Sequence, residues 1–221
     1  MNICIIPARG GSKRLPKKNL LEFRGKPLVQ ISLETAVLSN YFDQVILSSD
    51  DEEILKIGSR VRKVELLNRP ESFSGDSVRA DEVVRMIANE LNLGEHDLIC
   101  CLLPTTPLLT SNVLKAALQS YNGEGALFGV CKTVQTPFRT FTKSADGVLS
   151  SIFPEMLLKQ SNDYPVTYSD AGQFYIAAKK VWDSNFSITA SPEAIGFELS
   201  YELSIDINTQ IDWEMLQRLH P

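Results

Sequence analysis

Ile6-Pro7-Ala8-Arg9-Gly10-Gly11-Ser12-Lys13-Arg14-Leu15-Pro16-Lys17-Lys18-Asn19 is the stretch from which the fold of this 221-residue chain is read. It leaves an apolar run, Asn2-Ile3-Cys4-Ile5-Ile6-Pro7, whose unbroken hydrophobicity is that of a strand buried on both faces. It leads into residues 27–39, which predict a helix with Pro27 at its first turn. A strand, a glycine-containing loop and a helix in that order open an α/β sheet, and ligands of such sheets bind beyond the carboxyl ends of the strands. The loop lies at such an end.

Outward from this unit the alternation continues. Residues 45–49 read as a strand, 51–60 as a helix, 61–67 as a strand, 79–91 as an amphipathic helix and 98–103 as a buried strand. A helix over 111–121 follows a cap at Thr110 or Ser111, and 126–131 is another strand. Near-continuous apolar strands between helices predict a doubly wound α/β fold with a mostly parallel sheet covered on both faces. From 132 to 169 the pattern changes to short Thr-, Ser-, Phe- and Pro-rich segments with a turn at Asp146-Gly147, an excursion from the sheet. Residues 172–177 and 204–207 return to strand character, and 210–219 form a closing helix. Residues 1–221 therefore read as one domain with an inserted excursion.

The loop's chemistry is that of an anion cradle. Gly10 and Gly11 bring backbone N–H groups close to a ligand, Ser12 adds a hydroxyl, and Arg9, Lys13 and Lys18 are spaced to meet successive phosphates. Residues 1–26 hold Arg9, Lys13, Arg14, Lys17, Lys18, Arg24 and Lys26 against the single acid Glu22, while the whole chain carries a formal charge of -5. A solvated basic loop has the same composition; position after the first strand favours the ligand reading. The spacing is neither GxGxxG nor GxxxxGKS/T, which excludes the dinucleotide and Walker A readings.

Composition sets further bounds. With 43% hydrophobic residues the chain can bury a sizeable core. A pI near 5.2 argues against nucleic-acid binding, so the basic cluster serves a small anion. No apolar run is long enough to span a bilayer, and the chain enters a strand at once, with no leader segment, so a cytoplasmic protein with no membrane partner is expected. Cys4, Cys100, Cys101 and Cys131 fall in apolar runs without metal-ligand spacing, as core residues do. A nucleophilic thiol needs a basic partner, and neither His96 nor His220 is well placed.

Five further segments carry candidate chemistry. Ser48-Ser49-Asp50-Asp51 ends the second strand, where either aspartate also suits a helix cap. Arg69 ends the third strand, with Asp76 and Arg79 expected to hold that segment together. Pro104-Thr105-Thr106-Pro107 presents two hydroxyls on a rigid turn. Asp170-Ala171-Gly172-Gln173-Phe174-Tyr175 combines a carboxylate, an amide and aromatics as a polyhydroxylated ligand requires, although an ordinary strand entry has similar content. In Ser204-Ile205-Asp206-Ile207-Asn208-Thr209, Asp206 and Asn208 lie on one face of an extended segment and offer hard oxygens suited to Mg²⁺; Asn208 or Thr209 also suits a cap.

Together these segments resemble the cytidylyltransferases that activate nonulosonic acids: the CMP-sialic acid synthetases and, more closely, the pseudaminic acid cytidylyltransferases. The similarity covers nearly the whole chain. Residues 6–19 look like the family's CTP-binding stretch, Arg69-Pro70, Pro104-Thr105-Thr106-Pro107 and Asp206 match later blocks, and the wording of 170–175 is similar to the pseudaminate branch. Two departures from the sialate enzymes stand out: Leu103 where they tend to carry glutamine, and Asn208 where they present a second aspartate.

The resemblance implies a nucleotide-diphospho-sugar transferase-like fold that transfers CMP from CTP to a nine-carbon 2-keto acid sugar, pseudaminic acid first, with release of pyrophosphate. Ala8, Arg9, Gly10, Gly11, Ser12, Lys13, Lys18, Asn19 and Arg69 would hold CTP, with Lys18 and Arg9 as the catalytic pair. Thr105, Thr106, Asp170, Gln173 and Phe174 would hold the sugar, and Asp206 with Asn208 would hold Mg²⁺ or another divalent cation. The excursion at 132–169 would make a homodimer. Alternatives are a sialate, legionaminate or Kdo cytidylyltransferase and, in another class, a non-catalytic nucleotide sensor, for which Asn208 is the sequence support. A glycosyltransferase of similar architecture is disfavoured by the lack of an Asp-x-Asp pair after a central strand.

Overall fold

The computed structural model describes residues 1–184 and 187–220, so 185, 186 and 221 of the expected single domain lie outside the described residues. Strand β1 (Asn2–Pro7) is inaccessible from Ile3 to Ile6, which is why it shows no polar alternation. Its odd residues, Ile3 and Ile5, enter one core and its even residues, Cys4 and Ile6, the other. After the loop comes a ribbon of β2 (Glu22–Phe23) and β3 (Lys26–Pro27), turning through Arg24 and Gly25 at positive φ. Helix α1 (Leu28–Leu38) follows, with Pro27 as its N-cap residue.

The alternation then proceeds as β4 (Gln44–Ser49), α2 (Glu52–Gly58), β5 (Val64–Asn68), α3 (Ala80–Glu90), β6 (Leu98–Leu102), α4 (Ser111–Ser120) and β7 (Ala126–Lys132). The third strand begins later than 61 because Val61 N donates to the Gly58 carbonyl (3.0 Å), prolonging the turn that ends α2. A hairpin of β8 (Phe141–Lys143) and β9 (Leu149–Ser151) forms within the excursion, closed through Gly147 at φ 91. Then come β10 (Tyr168–Ala178), the one-turn α5 (Lys179–Trp182), β11 (Ile195–Leu199) and α6 (Gln210–Leu219).

Seven strands form one sheet in the order β11-β7-β10-β6-β1-β4-β5. Pairing is parallel except for β10, which runs antiparallel to both β6 and β7. The chain winds from β1 outward through β4 to β5, then returns to place β6 on the other side of β1. That reversal opens a crevice at the carboxyl ends of β1 and β6, where the loop after β1 and the Pro104 turn emerge. Helices α1, α2 and α4 pack together on one face, and α3 with α5 on the other. Helix α3 buries Val83, Val84, Ile87 and Ala88, and truncating Ile87 to alanine would cost about 2–5 kcal/mol. All four cysteines are buried and free.

One expectation is corrected. Residues 204–207 are not a strand: Ser204 N donates back to the Ser200 and Tyr201 carbonyls (3.1 and 3.2 Å), and Ile207 N makes a single bond to the Thr105 carbonyl (3.0 Å) in place of a ladder. The edge strand is instead β11, whose Gly196 lies so close to β7 that a Cβ would stand 2.8 Å from Val130. The excursion is bounded by Thr133 and Thr167, bonded backbone to backbone at 2.9 Å. Phe138 packs against both Phe153 and Tyr164 inside it, yet Val134, Val148, Leu149, Leu158 and Val166 are exposed.

Candidate active site

The crevice contains a cavity of about 430 Å³ walled by the loop after β1, Arg69, the Pro104 turn and Asp206. Ala8 continues the pairing of β1 with β4, its N–H donating to the Ser48 carbonyl (2.9 Å), and its methyl is wholly buried. Ala8 is thus a core residue that launches the loop. Gly10 N–H donates to Asp50 Oδ1 (2.9 Å), while Asp51 caps α2 by accepting from Glu53 N (2.8 Å) and Ile54 N (3.1 Å). A Cβ at Gly10 would stand 2.6 Å from Asp51 Oδ2, so close approach, rather than a special dihedral, requires this glycine. At Gly11 a Cβ would meet open space.

The cations are held by carboxylates and backbone. Arg9 donates to Asp76 Oδ1 (3.0 Å), and Lys13 pairs with the same carboxylate, holding Asp76 below the usual carboxyl range. Arg79 does not share in this; its fork closes on Asp81 at 3.0 and 2.9 Å, which corrects the expected Asp76–Arg79 tie. Arg69 is 6% exposed and donates to Ser48 Oγ (3.2 Å) and the Ser48 carbonyl (2.6 Å), and burial pulls its pKa down. Asn19, 5% exposed, donates to the Arg9 carbonyl (2.8 Å), but its buried Oδ1 has no partner among the described residues. An orphaned acceptor in a cavity wall calls for a ligand donor, such as a ribose hydroxyl or an exocyclic amine.

On the other side of the cavity runs a chain of polar contacts. Lys18 Nζ donates to Asn208 Oδ1 (3.0 Å), Asn208 Nδ2 donates to Asp206 Oδ2 (2.5 Å), and Thr105 Oγ1 donates to Asp206 Oδ1 (2.5 Å). Burial lowers the Lys18 pKa and raises that of Asp206. Thr209, rather than Asn208, caps α6, in a reciprocal box with Asp212 whose Oδ2 also accepts from Asn208 N (3.0 Å). Helix α6 thereby anchors the segment that carries Asp206.

A second cavity, about 580 Å³, shares Leu103 and Asp206 with the first. Asp170, Ala171, Gly172 and Tyr175 in its wall belong to the stretch where β10 bulges between Asp170 and Tyr175. Gly172 takes φ 60 there and lies against Asp206, and Asp170 accepts from Gly172 N (2.9 Å) and the Tyr175 hydroxyl (2.9 Å). Burial first, then Asp170, pushes the Tyr175 pKa well up.

Three of the expected sugar contacts point elsewhere. Thr106 is buried with its hydroxyl on the Leu103 carbonyl (3.0 Å), shaping the turn. Gln173 is inaccessible and donates to the Leu203 carbonyl. Phe174 is inaccessible and packs edge-on to Phe197 at 6.1 Å in the core. Thr105 and Asp170 do face the cavities. Leu103, Gly172, Tyr175 and Met215 belong to the second wall without having been picked out as ligands; Gly172 and Tyr175 lie in the 170–175 segment and Leu103 just before the Pro104 turn, both marked in the sequence, whereas Met215 carried no signal.

Known proteins give an independent view. A family model described as cytidylyltransferase matches residues 3–217. The chain is 34% identical to the pseudaminic acid cytidylyltransferase of Campylobacter jejuni subsp. jejuni serotype O:23/36, strain 81-176, over 99% of this chain and 96% of that protein. It is 29% identical, over 90% of its length and 38% of the relative's, to a Helicobacter pylori protein named pseudaminic acid cytidylyltransferase and UDP-2,4-diacetamido-2,4,6-trideoxy-beta-L-altropyranose hydrolase. Among solved structures, CMP:2-keto-3-deoxy-manno-octonic acid synthetase complexed with CTP superposes with a TM-score of 0.69 at 17% identity, covering 99% of this chain and 97% of that one.

Proposed function

The chain belongs to the cytidylyltransferase family, and from that premise we propose that it transfers CMP from CTP to the anomeric hydroxyl of a nine-carbon 2-keto acid sugar, pseudaminic acid, with release of pyrophosphate. The observation that carries the reading is the shared wall: Asp206 and Leu103 line both a cation-rich cavity and a separate cavity opening beside it. Two substrates bound side by side would meet there.

In this reading the Arg9, Ser12 and Lys13 side chains hold the triphosphate, while the Gly10 N–H stays on Asp50 and shapes the loop; Arg69 and the Asn19 oxygen hold the nucleoside, and Asp170 with Thr105 orients the sugar. The sugar hydroxyl oxygen forms a bond to the α-phosphorus as the bond to the bridging oxygen of pyrophosphate breaks, and its proton passes to water. Little covalent chemistry is asked of the protein, so positioning and charge stabilisation carry the rate. Lys18, on the Asp206 side of the first cavity, stabilises charge that develops at the α-phosphate.

The donor set fits a divalent cation. Asp206 is a half-buried carboxylate whose hydrogen bonds among the described residues come from the neutral donors Thr105 and Asn208, so among those residues its charge has no cation in direct contact. No three His, Cys, Asp or Glu side chains converge among the described residues, so a cation at Asp206 and the Asn208 carbonyl would take its remaining ligands from phosphates and water, as Mg²⁺ does. When bound, Mg²⁺ supplies Lewis-acid polarisation of phosphate oxygens.

The exposed apolar residues of the excursion support a homodimer formed through 132–169, and we place the enzyme in the cytoplasm, where CTP is made. Asn208, the sequence basis for a non-catalytic sensor, bridges Lys18 to Asp206, a contact that supports a working site. Pyrophosphate release is measured with CTP, Mg²⁺ and, in turn, pseudaminate, legionaminate, sialate and Kdo. Release is expected to be fastest with pseudaminate; preference for another sugar reassigns the substrate, and silence with all four overturns the transfer.

A further inference from the structure

The second cavity poses an electrostatic problem for an acidic sugar. Asp170, Asp206 and Asp212 line it, and among the described residues no Lys, Arg or His does. In a 2-keto acid sugar the carboxylate and the attacking hydroxyl are bonded to the same carbon, so the carboxylate must lie where the reacting oxygen lies, at the border of the two cavities. A side chain shared at that border, Asp206, is itself a carboxylate. Two anions brought together there repel each other unless a cation stands beside them.

The first cavity supplies the cations, and most of them are engaged. Arg9 and Lys13 are held by Asp76, Arg79 by Asp81, and Arg69 by the hydroxyl and carbonyl of Ser48. Lys18 and Arg14 remain. Both reach the neutral Oδ1 of Asn208, Lys18 Nζ at 3.0 Å and Arg14 Nη2 at 3.5 Å, and Asn208 in turn donates to Asp206. Among the described residues neither forms an ion pair. Lys18 has the α-phosphate to meet. Arg14 is exposed, is linked to Asp206 through Asn208 and has no part in the reaction as set out above. Its planar fork can donate two parallel hydrogen bonds to a carboxylate, which the point charge of a lysine cannot.

We propose that Arg14 receives the carboxylate of the sugar and thereby selects an acid over a neutral sugar. The inference rests on the first cavity being the nucleotide site and the second the sugar site. Drawing the carboxylate towards the loop also orients the ring. The remainder of the sugar then points into the second cavity, where aspartate oxygens meet only hydroxyl and amide hydrogens.

The test compares kcat/KM for pseudaminate and for its C1 carboxamide in the wild type, Arg14→Met and Arg14→Lys, with the KM for CTP measured in each. The wild type is expected to prefer the carboxylate by about 10- to 100-fold, the range for hydrogen bonds to charged groups. Arg14→Met should lose most of that preference through a raised KM for pseudaminate, with the KM for CTP within about twofold of wild type, and Arg14→Lys should recover part of it. A wild type that turns over both sugars alike overturns the assignment. So does Arg14→Met if it keeps the preference, which hands the carboxylate to another cation, or if it raises the KM for CTP alone, which gives Arg14 to the triphosphate. Silence of the wild type towards every sugar overturns the transfer reading and this inference with it.

Discussion

Gly172 and Asp206 are in contact: a Cβ on Gly172 would stand 2.7 Å from Asp206 Oδ2, at a backbone φ of 60. Gly172→Ala should displace the carboxylate from Thr105 and Asn208. A left-handed non-glycine residue costs about 1–2 kcal/mol, which for a chain of this length lowers Tm by a few degrees. The loss in kcat should be much larger, on the order of 100-fold, as for a catalytic group moved by about an ångström. Thermal denaturation and pyrophosphate release measured together separate the two, and an unchanged kcat would remove Asp206 from the reaction.

Lys18→Ala should lower kcat by about 10²–10³, the range seen when a charge-stabilising donor is removed, with CTP affinity changed far less. Because burial lowers the Lys18 pKa, its charge is lost at a lower pH than that of an ordinary lysine, and activity should decline earlier on the alkaline side. Lys18→Arg, which keeps its charge, should move that decline upward. Loss of CTP binding without loss of kcat would assign Lys18 to the ground state.

Asp76 holds Arg9 and Lys13, the two cations proposed to receive phosphate. CTP must displace it. Asp76→Asn should tighten CTP binding roughly two- to fivefold at low salt, as expected for exposed ion pairs, and the gain should vanish at high ionic strength. Titration calorimetry at two salt concentrations measures it; weaker binding in the variant would make Asp76 part of the nucleotide site.

Asn208→Asp places a second carboxylate beside Asp206. The Mg²⁺ concentration giving half-maximal activity should fall, because a second charged oxygen is added beside Asp206. A midpoint that does not move would take residue 208 out of the metal shell.

Leu158 is 94% exposed on the excursion, so Leu158→Glu should leave the fold intact by circular dichroism. Light scattering should show the wild type at twice 24.6 kDa and the variant shifted towards 24.6 kDa. A monomeric wild type would refute assembly through this face.

The sheet was legible where residues are buried on both sides: β1, β4, β6 and β7 announce themselves as apolar runs. β11 did not, because Gly196 interrupts its pattern for a contact with Val130 that belongs to the neighbouring strand. Residues 204–207 alternate polar and apolar as a strand does, yet Ile207 is buried among α6 residues and Asp206 faces the cavities, so the period arises from two unrelated environments. Within the site, the residue types that bind anions were readable from the loop. Orientation was not. Thr105 and Thr106 are neighbours that point in different directions, and Gln173 and Phe174 are turned into the interior by a bulge visible in sequence only as Ala171-Gly172.

The reversed direction of β10 has a mechanical consequence. The chain leaves the sheet at the carboxyl end of β7 and re-enters it beside that point, with Lys132 paired to Tyr168, so both feet of the excursion stand on the edge where the substrates would meet. Asp170 follows two residues after Tyr168, and Gly172, pressed on Asp206, two residues after that. Load applied to the excursion by the proposed second subunit would therefore be in series with the carboxylate shared by the two cavities. Changes at such a contact would retune the proposed reaction centre without altering any residue that lines it.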